Sequence, residues 1–146
     1  MKYIKRFNEK LVYPEGFNKD ELINDIEEFG DRIDLIGYEF NIDQKETWRQ
    51  FELDIAIIND DLGEEKQSEL IDVIGHILRY VTMNGLLYSL KTYYLPKHGL
   101  QLRAICADET EIFKEIKDIY GKNTEVTIIT IELFVKGSKP YYEKES

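Results

Sequence analysis

The pattern of apolar and polar positions is clearest between residues 61 and 84, where it has the period of a helix. Apolar residues recur there at steps of three and four and form one stripe: Leu70, Ile74, Ile77, Leu78 and Val81. Asp61 and Glu64 have the spacing of a capping box, and Gly85 supplies a left-handed stop. The pattern therefore predicts one long amphipathic helix on which the neighbouring elements must pack.

The same period predicts two shorter helices, over residues 18–31 and 108–120. At the start of the first, Asn18 and Glu21 have the spacing of a cap and its partner, and Gly30 is predicted to end that helix. Each of the two helices is apolar along one side and charged along the other. All three helices therefore need an apolar surface to cover.

Between the helices the period changes to two, which predicts strands. Runs over 33–42 and 48–58 are separated by a short connection and predict one antiparallel hairpin, and runs over 86–95 and 100–107 predict a second. Residues 124–136 are apolar on much of both faces. Because only a strand with neighbours on both sides is buried in this way, we expect it in the middle of a sheet.

This order of elements predicts a single α+β domain over residues 1–136, followed by a polar tail over 137–146. We expect two layers: a mainly antiparallel sheet of five or six strands, and three helices on one of its faces. Residues 2–7 form either a short edge strand, which would be the sixth, or a loosely held arm. The predicted core takes residues from the apolar side of each element: Ile26, Phe40, Leu53, Ile74, Leu78, Leu102, Ile116 and Ile131.

Length and composition agree with one domain. A chain of 146 residues with 42% hydrophobic residues can bury a substantial core, and it contains no Ser/Gly-rich run that would act as a linker. The first residues lack the apolar core of a signal peptide, and no window reaches the length of a membrane span. The single cysteine allows no intramolecular disulfide. These features predict a cytoplasmic protein without a membrane partner.

The net charge of −10 is concentrated in the predicted helices. Segments 18–31, 61–84 and 108–120 together hold 16 acidic and 5 basic residues, a net charge of −11, while the rest of the chain is near neutral at +1. A negative face repels phosphate backbones, so we expect no direct binding of nucleic acid, and it attracts basic proteins. The competing interpretation is that these charges only solvate the outer sides of surface helices.

Candidate catalytic and metal-binding residues are few. His76 and His98 have no partner at ligand spacing, and Cys106 alternates with apolar residues as a core residue does. The acidic string at residues 59–65 lacks the spacing of a calcium loop, and the helix dipole explains acids in a first helical turn. The sequence therefore predicts no catalytic residue, no metal site and no cofactor.

Two functional hypotheses remain. The first is a small acidic, non-enzymatic module of the inhibitor or immunity type, which masks a basic surface of a partner protein. Its predicted contact residues are the helix acids Glu64, Glu65, Glu69, Asp72, Asp108, Glu111, Glu115 and Asp118. The alternative is a small-ligand-binding domain that uses the polar face of the sheet. Its predicted contact residues are Lys91, Tyr93, Gln101 and Arg103.

Overall fold

The computed structural model describes residues 11–47, 50–59, 64–94, 99, 101–120 and 127–137. In chain order its elements are helix α1 (Lys19–Ile36), strands β1 (Glu39–Thr47) and β2 (Gln50–Asn59), helix α2 (Glu64–Met83), strands β3 (Leu87–Tyr94) and β4 (Gln101–Cys106), helix α3 (Glu109–Tyr120) and strand β5 (Thr127–Phe134). The predicted order of helices and strands is confirmed. The predicted strand at 2–7 and residues 138–146 of the predicted tail lie outside the described residues.

The five described strands form one antiparallel sheet in the order β1-β2-β5-β3-β4. Both predicted hairpins are present, and β5 lies between them as the central strand, as predicted. Its residues alternate between the two faces of the sheet, and Ile129, Ile131 and Leu133 all point into the core at 0% exposure. The register places Ile131 between Ile55 of β2 and Leu90 of β3. The core therefore runs across the middle of the sheet.

The three helices pack on this one apolar face. Helix α2 lies between α1 and α3, and each helix also contacts a strand, β1 for α1, β3 for α2 and β4 for α3. Five of the predicted core residues are buried: Ile26, Leu53, Ile74, Leu78 and Ile131. Phe40 is half-buried against them, and the side chain of Ile116 lies outside the described residues. None of the helices in the described part of the chain combines the length and apolar character that a bilayer crossing requires.

Helix α1 is longer than predicted, and Gly30 does not end it. The helix continues to Ile36 and stops at Gly37, which has a φ of 113° and donates its N–H to the carbonyl of Ile33 at 3.2 Å. Gly30 is buried inside the helix, where an added Cβ would overlap the ring of Phe40. This glycine serves close packing between helix and strand. The predicted strand over 33–42 therefore begins only at Glu39.

Strand β4 contains a β-bulge that the sequence pattern did not reveal. The pairing of β3 with β4 slips by one residue between Thr92 and Tyr93, so Arg103 is an extra residue on β4. Beyond the bulge Leu102 faces the same side as Tyr93 and is 50% exposed. Arg103 turns towards the helices, where its Nε lies 2.7 Å from Oε2 of Glu115. The prediction of Leu102 as a core residue is therefore wrong.

Candidate functional site

The outer surface of helices α1 and α2 is acidic. Glu65, Glu69 and Asp72 are exposed and follow each other at steps of four and three, so they form one stripe along the side of α2 that faces away from the sheet. The side chains of Glu64 and Asp118 lie outside the described part of the structure. Helix α1 adds six exposed acids: Asp20, Glu21, Glu27, Glu28, Asp31 and Asp34. We call these nine residues of α1 and α2 the acidic face.

The basic residues of these two helices form no described salt bridge with the acidic face. Each contacts a different group: Lys19 pairs with Glu46 at 2.9 Å, Arg32 meets Nδ1 of His76 at 3.2 Å, Lys66 donates to the carbonyl of Ile36 at 2.9 Å, and Arg79 lies 4.0 Å from Glu109. Among the described residues, none of the nine acids forms a salt bridge. Their negative field therefore extends into solvent.

Three of the predicted contact acids have structural contacts around α3. Oδ1 of Asp108 accepts the backbone N–H of Glu111 at 3.1 Å, and Oε2 of Glu111 accepts the backbone N–H of Ala107 at 2.7 Å. Asp108 is therefore the N-cap of the helix, and Glu111 reaches back past it to the backbone of the preceding residue, in an arrangement related to the capping box. Glu115 pairs with Arg103. These acids are therefore less available to a partner than the stripe on α2.

The sheet face opposite the helices carries a cluster of three carboxyl groups. Glu52 and Asp54 lie on the same face of β2, and Glu132 is the β5 register partner of Asp54. Oxygen atoms of the three groups all lie within 4.8 Å of one another. Nζ of Lys45 is 3.0 Å from Asp54, and Nζ of Lys91 is 2.8 Å from Glu132. We call these five residues the carboxyl cluster.

Glu52 is the buried member of the carboxyl cluster, with 2% of its surface exposed. The pKa of Glu52 is raised to about 7, in the first place by burial, and also by the hydrogen bond with Asp54 and the negative charges of Asp54 and Glu132. Lys45 opposes them, but it lies 3.8 Å from Glu52 and closer to Asp54. Glu52 therefore retains its proton to near neutral pH, unlike an ordinary surface glutamate.

Two observations bear on whether the carboxyl cluster could bind a metal ion. Carboxylate oxygens are what magnesium and calcium ions prefer. Two of the three groups, however, already have ammonium partners in Lys45 and Lys91. The third group, Glu52, lies 3.8 Å from Lys45 and has a raised pKa. The arrangement is therefore a network of ion pairs around one carboxyl group of raised pKa.

The four residues predicted for ligand binding do not lie together. Lys91 and Tyr93 share the open face of β3, beside the carboxyl cluster. The bulge places Arg103 on the helix side, and Gln101 pairs in register with Tyr94. Sequence reasoning did not single out Lys45 or Glu132. The sequence does contain a signal for Glu132, because it is the single charged residue within the apolar strand β5.

Cys106 has the properties of a core residue. It is buried, and burial raises the pKa of its thiol to about 11, with a smaller contribution from the negative charges of Glu115 and Glu111. At neutral pH the thiol keeps its proton, which disfavours nucleophilic chemistry. His76 lies on the exposed side of α2 beside Arg32, and His98 lies outside the described residues.

Comparison of the chain with known protein families, with curated proteins and with solved structures finds no match in any of the three. No activity can therefore be transferred from a relative. The function has to be argued from the acidic face and the carboxyl cluster, by the chemistry that each offers.

Proposed function

We propose that the protein is a non-enzymatic binding module of the inhibitor or immunity type, which covers a basic surface of a partner protein with its acidic face. The observation that carries this proposal is the set of nine exposed acids that form no salt bridge with any residue the structure describes, on helices whose four basic residues contact other groups. Such a field accelerates encounter with a positively charged partner and repels nucleic acid.

An exposed leucine supports the choice of α1 and α2 as the contact surface. Leu35 is 85% exposed at the end of α1, one residue after Asp34. The contact between Lys66 and the carbonyl of Ile36 brings the start of α2 beside the end of α1. Leu35 and Glu65 therefore lie at the same end of the helix layer. An apolar side chain within a charged rim is a common composition for a protein interface.

The test begins with capture of partners from native cells at low and at high salt, followed by association kinetics with the purified partner. The variant carries Glu65→Lys, Glu69→Lys and Asp72→Lys. The control variant carries Glu15→Lys, Glu39→Lys and Asp43→Lys, which are exposed acids away from the acidic face. Both variants change the net charge by the same amount, so they separate local from overall electrostatics.

We expect the variant on α2 to slow association by at least tenfold, because steered association depends on the local field. The control variant should slow it much less, and raising the salt concentration should abolish the difference between the two. Both variants should unfold at temperatures close to that of the original protein. Capture of no partner, or a partner whose binding is indifferent both to salt and to the reversal on α2, would overturn the proposal.

The competing proposal is a small ligand on the open face of the sheet. Its support is now restricted to Lys91 and Tyr93, which share that face. A metabolite or nucleotide that raises the melting temperature, with loss of the effect in Lys91→Ala, would favour it. A panel without any such shift would leave the acidic face as the functional surface.

A further inference from the structure

We propose that a groove between helices α2 and α3 holds one aromatic side chain of the basic partner, an inference that rests on the function proposed for the acidic face. The groove is open to solvent and has a volume of about 300 Å³. Its walls come from the second half of α2, from β3 and from the first residue of α3: Leu78, Arg79, Thr82, Met83, Tyr88 and Glu109. We call it the α2–α3 groove.

The α2–α3 groove continues the acidic stripe of α2. Asp72, His76, Arg79 and Met83 are all exposed and follow each other at steps of four and three, so they lie on the same side of the helix. At a rise of about 1.5 Å per residue, Asp72 and Met83 are about 16 Å apart along the axis. A standard interface buries about 800 Å² on each partner. A basic partner that pairs with the acidic stripe can therefore also reach the groove.

Most polar atoms in the walls of the groove already have partners. The hydroxyl of Tyr88 donates to the carbonyl of Ala107 at 2.8 Å, and Oγ1 of Thr82 donates to the carbonyl of Leu78 at 2.9 Å. The groove therefore offers apolar surface, with the charges of Arg79 and Glu109 beside it. Because small ligands bind in concave sites that bury most of their surface, an open groove of this kind favours a side chain held in place by a larger interface.

Two exposed side chains favour an aromatic occupant over an aliphatic one. Met83 is 85% exposed, and its thioether makes favourable contacts with aromatic rings. The side chain of Arg79 is 63% exposed, and its Nη1 lies 4.0 Å from Oε1 of Glu109, beyond hydrogen-bond distance. Its planar guanidinium can therefore stack on the face of a ring. Tyrosine and tryptophan are also the apolar residues that most often anchor protein interfaces.

The methyl group of Met83 provides a direct test on the whole protein. The chain contains two methionines, Met1 and Met83, so carbon-13 labelling of methionine methyl groups gives two NMR signals. The probes are three short peptides, blocked at both ends, with two lysines on each side of a central tryptophan, leucine or alanine. A ring bound beside Met83 shifts its methyl signal upfield, so we expect this shift with the tryptophan peptide alone. Arg79→Lys keeps the charge without the planar group and should weaken binding of that peptide about two- to fivefold.

Three results of this titration would overturn the proposal. The first is no upfield shift of the Met83 signal with the tryptophan peptide. The second is tighter binding of the leucine peptide, which would make the occupant aliphatic. The third is a Met83 signal that moves with protein concentration alone, because a second copy of the chain would then fill the groove.

Kinetics with the purified partner separate this inference from the function on which it rests. An anchor side chain acts mainly on dissociation, whereas charge reversal on the acidic stripe acts on association. Met83→Ala should speed dissociation about fivefold, and the matched Ile105→Ala, which removes a 68% exposed side chain from β4, should not. Unchanged dissociation in Met83→Ala, with association still governed by the acids, would overturn the groove alone. Faster dissociation in Met83→Ala, with association indifferent to the acids, would support the groove and overturn the acidic face.

Discussion

Gly30→Ala is a substitution for which local helix preference and tertiary packing predict opposite results. Alanine in a helix interior is favoured over glycine by about 1 kcal/mol. At this position, however, the new Cβ would overlap the Phe40 ring, with Cδ1 at 2.5 Å and Cζ at 3.0 Å. Forcing a methyl group into a packed site costs about 1–3 kcal/mol. We therefore expect a net loss of up to about 2 kcal/mol in the free energy of unfolding.

Gly75→Ala is the matched control, because it makes the same change in helix α2. Its new Cβ would meet Oε1 of Glu109 at 2.9 Å, the far end of a flexible side chain that can rotate away. We expect this variant to gain up to about 1 kcal/mol from helix preference. Urea denaturation followed by circular dichroism measures both free energies of unfolding.

A double substitution isolates the cause. In a Phe40→Leu background the ring that blocks the new Cβ is gone, so Gly30→Ala should become neutral or stabilising relative to that background. Equal effects of Gly30→Ala with and without the phenyl ring would refute the packing explanation. Gain of stability from Gly30→Ala in the original protein would refute it as well.

Two further stability predictions follow from burial and capping. Ile74→Ala removes a fully buried side chain from α2 and should lower the free energy of unfolding by about 2–5 kcal/mol, whereas Leu102→Ala, at a half-exposed position, should cost less than about 1 kcal/mol by urea titration. Asp108→Ala removes the acceptor of the first-turn N–H groups of α3 and should cost about 1 kcal/mol, while Asp108→Asn, which keeps an acceptor oxygen, should retain most of that stability in the same assay.

Most of the fold follows from hydrophobic periodicity. Hydrophobic periodicity reflects which sides of an element are buried. It therefore predicts the helix α2, which is buried along one stripe, the two hairpins, and the strand β5, which is apolar on both faces. Hydrophobic periodicity did not locate the end of α1. Gly30 resembles a helix stop in sequence, and its role appears only when Phe40, ten positions later, packs on it.

The two candidate surfaces differ in how much the sequence could reveal. Exposure of Glu65, Glu69 and Asp72 follows from their position opposite the apolar stripe of α2. The carboxyl cluster depends instead on the register between β2 and β5, which lie far apart in the chain and have no turn to fix their alignment. The bulge at Arg103 is similarly a one-residue shift that the alternating pattern of β4 does not record.

The central position of β5 has a consequence for how the protein is made. Strand β5 follows every other described element in the chain, yet it joins the hairpin β1–β2 to the hairpin β3–β4. During synthesis each hairpin can therefore form early, but the two halves share no sheet until β5 emerges. Until then β2 and β3 present unpaired edges that can pair with another chain. Nascent protein that stalls before residue 127 should be prone to aggregation, and this interval is where a chaperone would act.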